Sequence, residues 1–395
     1  MGRARAVATL PALNAAGNEI SAYIHIPFCQ ARCGYCDFNT YTNLDFGGAA
    51  SAKNFADTIC QEIELSAAKL VAATPSNSEL PKLNTVFFGG GTPSMLPAAD
   101  LGKILRLLQD TFGSATEITT EANPETVDAE YLAQLRAAGF TRISFGMQSA
   151  VPHVLATLDR IHTPGQVERA VQAARDTDLN YSLDLIYGTP GESEADWHHS
   201  LAAAAALAPG HISAYGLTVE PNTKMGRQVA RGEITAPDPD LLADRYLQAD
   251  EFLAAAGYQW YEVSNWAHPG KECRHNLVYW QGGEWWGYGP GAHSHIAGTR
   301  FWNLKHPISY AQQLAAGNLP IAEYEELTAA EQREEHIMLG IRLRSGIEVP
   351  AGTSPETVQG LVADGLVSAK TAEQGQLVLT TTGRLLADTV IRQLW

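Results

Sequence analysis

Between Ser21 and Thr218 the sequence alternates two kinds of segment, and this alternation narrows the available folds more than any other feature. Six runs rich in β-branched and aromatic residues read as strands: SAYIHIPF from Ser21, LNTVFFGG from Leu83, EITTEAN from Glu117, RISFGMQS from Arg142, YSLDLIYG from Tyr181 and HISAYGLT from His211. Between them, NFADTICQEIELSAAKL, ADLGKILRLLQDTF and ADWHHSLAAAAAL carry apolar residues at helical spacing. That order implies a parallel sheet with crossover helices. Six repeats fall short of a closed eight-strand barrel, so a partial (β/α)6 barrel within the α/β class is expected, with a doubly wound sheet as the alternative. Both architectures place chemistry beyond the carboxyl ends of their strands. Residues suited to chemistry stand there: Cys29, Gly89 to Gly91, Glu121, Gln148, Asp184 and Thr218.

Beyond Pro221 the alternation stops. YEVSNWA, CRHNLVYW and GYGPGAHSH form an aromatic-rich stretch, and from Leu327 a helical run precedes GLVSA and QLVLTTTGRLLADTVIRQL. Four regions are expected: an N-terminal extension (1–20), the barrel (21–220), a capping segment (221–325) and a small α+β, winged-helix-like domain (326–395). A chain of 395 residues with 45% hydrophobic content can bury cores of that size. The net charge of −16, with no dense Lys/Arg run, argues against a broad basic face for nucleic acid. No apolar run has bilayer length, so stable membrane insertion is not expected. Pro11 and Asn14 interrupt the opening MGRARAVATLPALNAAG, which does not read as a signal peptide. A cytoplasmic setting is the expectation, and an odd count of five cysteines suits it better than a disulfide framework.

Cys29, Cys33 and Cys36 put three thiols on one loop directly after a strand. Thiolates are the ligands that soft iron centres prefer, and three of them leave one iron of a four-iron cube open for a chelating molecule. A zinc site completed by His25 or Cys273 competes with this reading. A cluster of buried unliganded cysteines would exceed what packing requires. Glycines in FFGGGTPS let backbone approach a ligand, although a tight turn explains them equally. Glu121, in TEANPE, is either a site carboxylate or part of a turn entering a helix.

The run YIHIPFCQARCGYCDF resembles the signature of the radical S-adenosylmethionine (SAM) superfamily, and the resemblance extends over essentially the whole chain. It implies a [4Fe-4S] cluster on Cys29, Cys33 and Cys36. It also implies SAM contacts from Tyr23, Tyr35, Gly90, Gly91, Thr92, Glu121, Gln148, Arg160 and Asp184. Within the superfamily the chain resembles the branch of oxygen-independent coproporphyrinogen III oxidases and heme chaperones. Those oxidases carry a fourth cysteine two residues after the third, where this chain has Cys36-Asp37-Phe38, and they have an N-terminal extension for which Tyr23 lies too near the start. The run CGYCDF and the motif His275-Asn276-Leu277-Val278-Tyr279-Trp280 resemble the chaperones instead.

The resemblance therefore implies a chaperone that binds heme and delivers it to acceptor proteins, membrane-bound respiratory enzymes among them, with the cluster and SAM as cofactors. A coproporphyrinogen oxidase and another radical-SAM modifying enzyme, such as a methyltransferase, remain as alternatives. His275 is a candidate heme ligand, set against a loop histidine that merely closes the barrel. His293 and His295 are a second candidate pair. Cys273 reads as a free loop thiol and Cys60, beside Ile59 and Ile63, as core.

Overall fold

The computed structural model describes residues 5, 6, 18–73 and 80–395. All six expected strands form: β1 (Glu19–Ile26), β2 (Lys82–Gly90), β3 (Glu117–Ala122), β4 (Arg142–Gln148), β5 (Asn180–Tyr187) and β6 (His211–Gly216). Each runs parallel to the next. The crossovers are α1 (Phe55–Ala73), α2 (Ala98–Phe112), α3 (Ala129–Ala138), α4 (Pro164–Asp176) and α5 (Glu194–Ala206). Their ends follow from local chemistry. Capping boxes start α4 at Thr163 and α5 at Ser193, and the Asp128 carboxylate starts α3 by accepting from Tyr131 N–H at 2.8 Å. Along β1, Ile20, Ala22, Ile24 and Ile26 are buried in the main core, while alternation turns Tyr23 toward the opposite, concave side.

Residues 221–325 extend the same sheet at both edges. After α6 (Pro239–Ala255), β7 (Gln259–Glu262) and β8 (Asn265–Ala267) add an antiparallel pair beyond β6. A helix, α7 (Arg274–Trp280), follows. Then β9 (Trp285–Tyr288) lies parallel to the free edge of β1, making a seventh parallel strand. Antiparallel strands β10 (His293–Ile296), β11 (Thr299–Asn303) and, after α8 (Pro307–Ala315), β12 (Ile321–Glu326) continue outward. Arg5–Ala6 pairs with β12 and completes a sheet of 13 strands. The rest of the expected N-terminal extension, apart from residues 18–20, lies outside the described residues. Among the described residues the two edges of the sheet do not pair, so the barrel is open, as a partial barrel should be.

The C-terminal residues have a second core of their own, in which Ile337, Ile341, Leu361, Val390 and Leu394 are buried together. A two-residue antiparallel ladder joins Ile347–Glu348 to Gln376–Leu377. GLVSA and QLVLT meet in one bridge, Val367 to Leu379, because Ser368 caps a helical turn at Ala369–Ala372 that ends the extended run. Arg384 ties this unit to the sheet: it bonds Asp250 and lies 4.4 Å over the Trp260 ring.

The sheet extension is locked to the barrel by one buried carboxylate. Glu62, on α1, accepts from Gly289 N–H at 2.8 Å, from Asn303 Nδ2 at 2.7 Å and from the Tyr310 hydroxyl. Burial raises its pKa from 4.5 to about 7. A carboxyl raised in the folded state stabilises fully below its unfolded pKa, and that contribution is lost as pH rises through the folded value. Stability should therefore fall between about pH 4.5 and pH 7, and Glu62→Gln should flatten that part of the profile. Urea denaturation of both proteins across this window checks it; parallel profiles would refute the assignment.

Candidate functional site at the concave face

Backbone pairing closes the neck of the cysteine loop. Phe28 bridges Tyr41, Cys29 N–H donates to Tyr41 O at 3.0 Å, and Tyr41 N–H donates to Pro27 O at 2.7 Å. Asn39 pins the loop to the sheet extension by donating to Pro290 O at 2.9 Å and Lys305 O at 2.8 Å. Within the loop, Cys29 is buried, whereas Cys33 and Cys36 are half-buried. Burial pushes the Cys29 thiol up to about 11, against which the Thr92 hydroxyl, donating to its sulfur at 3.7 Å, works in the opposite direction.

Thirteen of the residues singled out from the sequence line one cavity of ≈ 510 Å³: Tyr23, Cys29, Cys33, Tyr35, Cys36, Gly90, Gly91, Thr92, Glu121, Gln148, Arg160, Asp184 and His275. At its mouth a polar chain joins two of the thiols. Arg160 donates through Nη1 to Cys33 Sγ at 3.5 Å and through Nη2 to Asn123 Oδ1 at 2.7 Å. Asn123 donates to Thr92 Oγ1 at 3.2 Å, and Thr92 reaches Cys29. Donors aimed at sulfur stabilise thiolate charge, so this donor set fits an iron–sulfur cluster.

Next along the wall stands Glu121. It is half-buried, and it accepts from Gly90 N–H at 3.2 Å. Desolvation first, then the nearby Asp184 charge, raises it to about 8, so it carries its proton at neutral pH. Gly90 has φ = 106°, and a Cβ there would stand 2.4 Å from the His25 ring, so only glycine fits this turn. Asp184, also pushed up by burial, accepts from Ser213 at 2.7 Å and Ser144 at 2.9 Å. Gln148 sits at a strand irregularity with φ = 61°, a conformation that turns its side chain to the cavity and costs backbone energy. Together these residues set a glycine turn, a protonated carboxyl and the Arg160 guanidinium around one space, a set that suits a polar small molecule beside the cysteine loop.

At the other end, α7 plugs the cavity. Its seat is Glu117, whose carboxylate accepts from Arg274 N–H and His275 N–H, both at 3.1 Å, and from the Cys273 thiol at 3.6 Å. Burial drives that thiol up to about 12. Arg142, buried beside it, lies 3.8 Å from Glu117. Asn276 and Trp280 both bond Glu262. His275 is enclosed: it stacks on Phe87 at 5.2 Å, its Nδ1 pairs with Thr85 Oγ1 at 2.7 Å, and its Nε2 pairs with the Tyr279 hydroxyl at 2.7 Å. Thr85 donates its own proton to Ser21 at 2.8 Å, so His275 Nδ1 is the donor and Nε2 the acceptor. Burial lowers its pKa to about 3. Neither ring nitrogen is free.

Asn123, Glu117, Arg142, Thr85 and Glu262 were not singled out from the sequence. Glu117 and Arg142 did carry a signal, a charge opening an otherwise apolar strand segment. The partners of the His275 ring are Thr85 and Tyr279. His293 and His295 lie outside this cavity on the sheet extension, and Cys60 is core as expected.

Glu117→Ala should strip three donors of their acceptor and leave Arg142 buried without its partner. The expected loss is about 3–5 kcal/mol of unfolding free energy, measured by urea denaturation. A loss below about 1 kcal/mol would mean that α7 is held elsewhere.

Comparison with known proteins agrees with this geometry. Residues 23–204 match the model of the radical SAM superfamily. A protein of Mycobacterium tuberculosis (strain H37Rv) named heme chaperone HemW is 49% identical over 383 residues, 96% of this chain and 95% of that protein. The protein of the same name from Bacillus subtilis (strain 168) is 33% identical, covering 94% of this chain and 97% of its own. Among solved structures, the coproporphyrinogen III oxidase (HemN) from Escherichia coli, described as a radical SAM enzyme, superposes with a TM-score of 0.79. It is 22% identical and covers 95% of this chain and 90% of that one, a likeness of fold. The chain belongs to the radical SAM superfamily and, within it, to the family of the heme chaperone HemW.

Proposed function

We propose that this protein is a heme chaperone that binds heme and passes it to acceptor proteins, membrane-bound respiratory enzymes among them, in the cytoplasm. The observation that carries the reading is similarity along nearly the full length of proteins named heme chaperones, 49% identical over 96% of the chain. The absence of a fourth cysteine in Cys36-Asp37-Phe38 supports it against the oxidase alternative. Among the described residues no helix is long and apolar enough to cross a membrane, which is consistent with a carrier that meets membrane-bound acceptors only transiently.

Cys29, Cys33 and Cys36 would hold a [4Fe-4S] cluster. Tyr23, Tyr35, Gly90, Gly91, Thr92, Glu121, Gln148, Arg160 and Asp184 would hold SAM beside it. When bound, that pair supplies one-electron chemistry. The protein's own part is positional: Gly90 N–H donates to Glu121 and holds its protonated carboxyl toward the cavity to orient polar groups, and Arg160 offsets thiolate charge at Cys33. The α7 plug excludes water from the far end. Heme is cargo in this scheme. Ligation of its iron by His275 would require the Tyr279 hydroxyl to release Nε2.

Anaerobic reconstitution followed by parallel assays of heme uptake and coproporphyrinogen III turnover tests the reading. Stoichiometric heme uptake without decarboxylation is expected; turnover would sink it. The cluster is tested separately. Cys33→Ala should lose the cluster's visible absorbance and bound iron, whereas Cys60→Ala should keep both. An unchanged Cys33→Ala spectrum would overturn the ligand assignment.

A further inference from the structure

The concave side of the sheet extension presents a second histidine site, and it differs from His275 in what its ring is free to do. Cross-strand register puts Trp285, His295, Arg300 and Glu325 on one face, with His293, Trp302 and Glu323 beside them on that same face. The face is continuous with the cavity wall. The Tyr279 ring meets Trp285 at 4.7 Å, and Trp285 meets His295 at 5.4 Å.

His293 is exposed, and its imidazole lies nearly parallel to the Trp302 indole, with centroids 5.3 Å apart and planes 20° apart. That stack fixes the plane of the ring. No hydrogen bond occupies either ring nitrogen of His293 among the described residues, whereas His295 Nδ1 bonds Gly283 O at 3.1 Å. Partial desolvation and the Lys305 ammonium both lower the His293 pKa, which keeps the ring neutral and its lone pair available at pH 7. Lys305 is exposed and forms no ion pair with a carboxylate among the described residues. The backbone is tightly arranged for this display. A Cβ at Gly287 would stand 2.1 Å from His293 O, and Trp285 Nε1 donates to that same oxygen at 2.9 Å.

A free, neutral imidazole held in one plane by its indole neighbour and an unpaired cation are two features that heme calls for: an axial ligand and a partner for a propionate. We propose that His293, its ring plane set by the stack on Trp302, is the axial ligand of the transported heme, with a propionate toward Lys305. This rests on the heme-chaperone reading above and names the site at which the cargo is held. An exposed site on a sheet face suits cargo that must leave, while the enclosed His275 serves to seat α7.

Hemin titration of the full-length, cluster-reconstituted protein tests the assignment, with resonance Raman and electron paramagnetic resonance reporting the axial ligand. His293→Ala is expected to lose the nitrogenous-ligand signature and to weaken heme binding about tenfold or more, with added imidazole restoring the signature. It should leave cluster absorbance unchanged, which shows the fold intact. Lys305→Ala should weaken binding without changing the ligand signature. His275→Ala or His295→Ala should keep the signature. Wild-type heme uptake with an unaltered His293→Ala spectrum, or loss of the signature in His275→Ala or His295→Ala instead, would overturn this inference alone. No heme uptake by the wild type would overturn the chaperone reading and the inference together.

Discussion

The carboxylate of Glu117 is the contact on which the interior of this protein depends. A β-sheet that does not close on itself leaves its concave face open to water. Here α7 fills the opening, and its first turn presents backbone N–H groups that have no partner within the helix. One buried carboxylate satisfies two of them together with a thiol, while Arg142 offsets its charge. Stacking of His275 on Phe87 and the pairs from Asn276 and Trp280 to Glu262 then fix the helix from two further sides. Residues that look like a ligand motif in sequence serve as fastenings in three dimensions.

The opposite mouth is organised by a different principle. There the chain Arg160–Asn123–Thr92 connects residues from three separate strand-end loops and ends on two cysteine sulfurs. Such a chain couples the position of the cysteine loop to the carboxyl ends of β2 and β3. Its members are buried or half-buried, so each bond is made where water competes poorly. Thr92 and Arg160 thus act on the sulfurs as well as on the cavity they line.

Much of the fold was legible because its signals are long and regular. The six strands and the helices α1, α2 and α5 carry periods that persist for six residues or more, and the glycines and carboxylates after them mark the working ends. Strand β9 was not legible. Trp285–Tyr288 is four residues with a glycine inside, and nothing local says that it pairs with β1 at the far end of the sequence. The HNxxYW motif was visible as a motif, but its helix and its burial depend on Glu117 and Thr85, which are distant in sequence. Asn123 read as part of a turn, which it is; its bond to Arg160 belongs to the tertiary fold. In the C-terminal unit the ladder partner of Gln376–Leu377 is Ile347–Glu348, a two-residue strand too short for any periodicity.

The pairing of β9 with β1 also sets an order of events during synthesis. One edge of β1 is completed early by β2, which follows a single helix later. Its other edge must wait until Tyr288 has left the ribosome. For most of translation the nascent barrel therefore exposes a row of unpaired backbone groups on its first strand, beside the loop that carries Cys29, Cys33 and Cys36. A chain interrupted before β9 would therefore offer an unpaired strand edge and an unguarded set of thiols together.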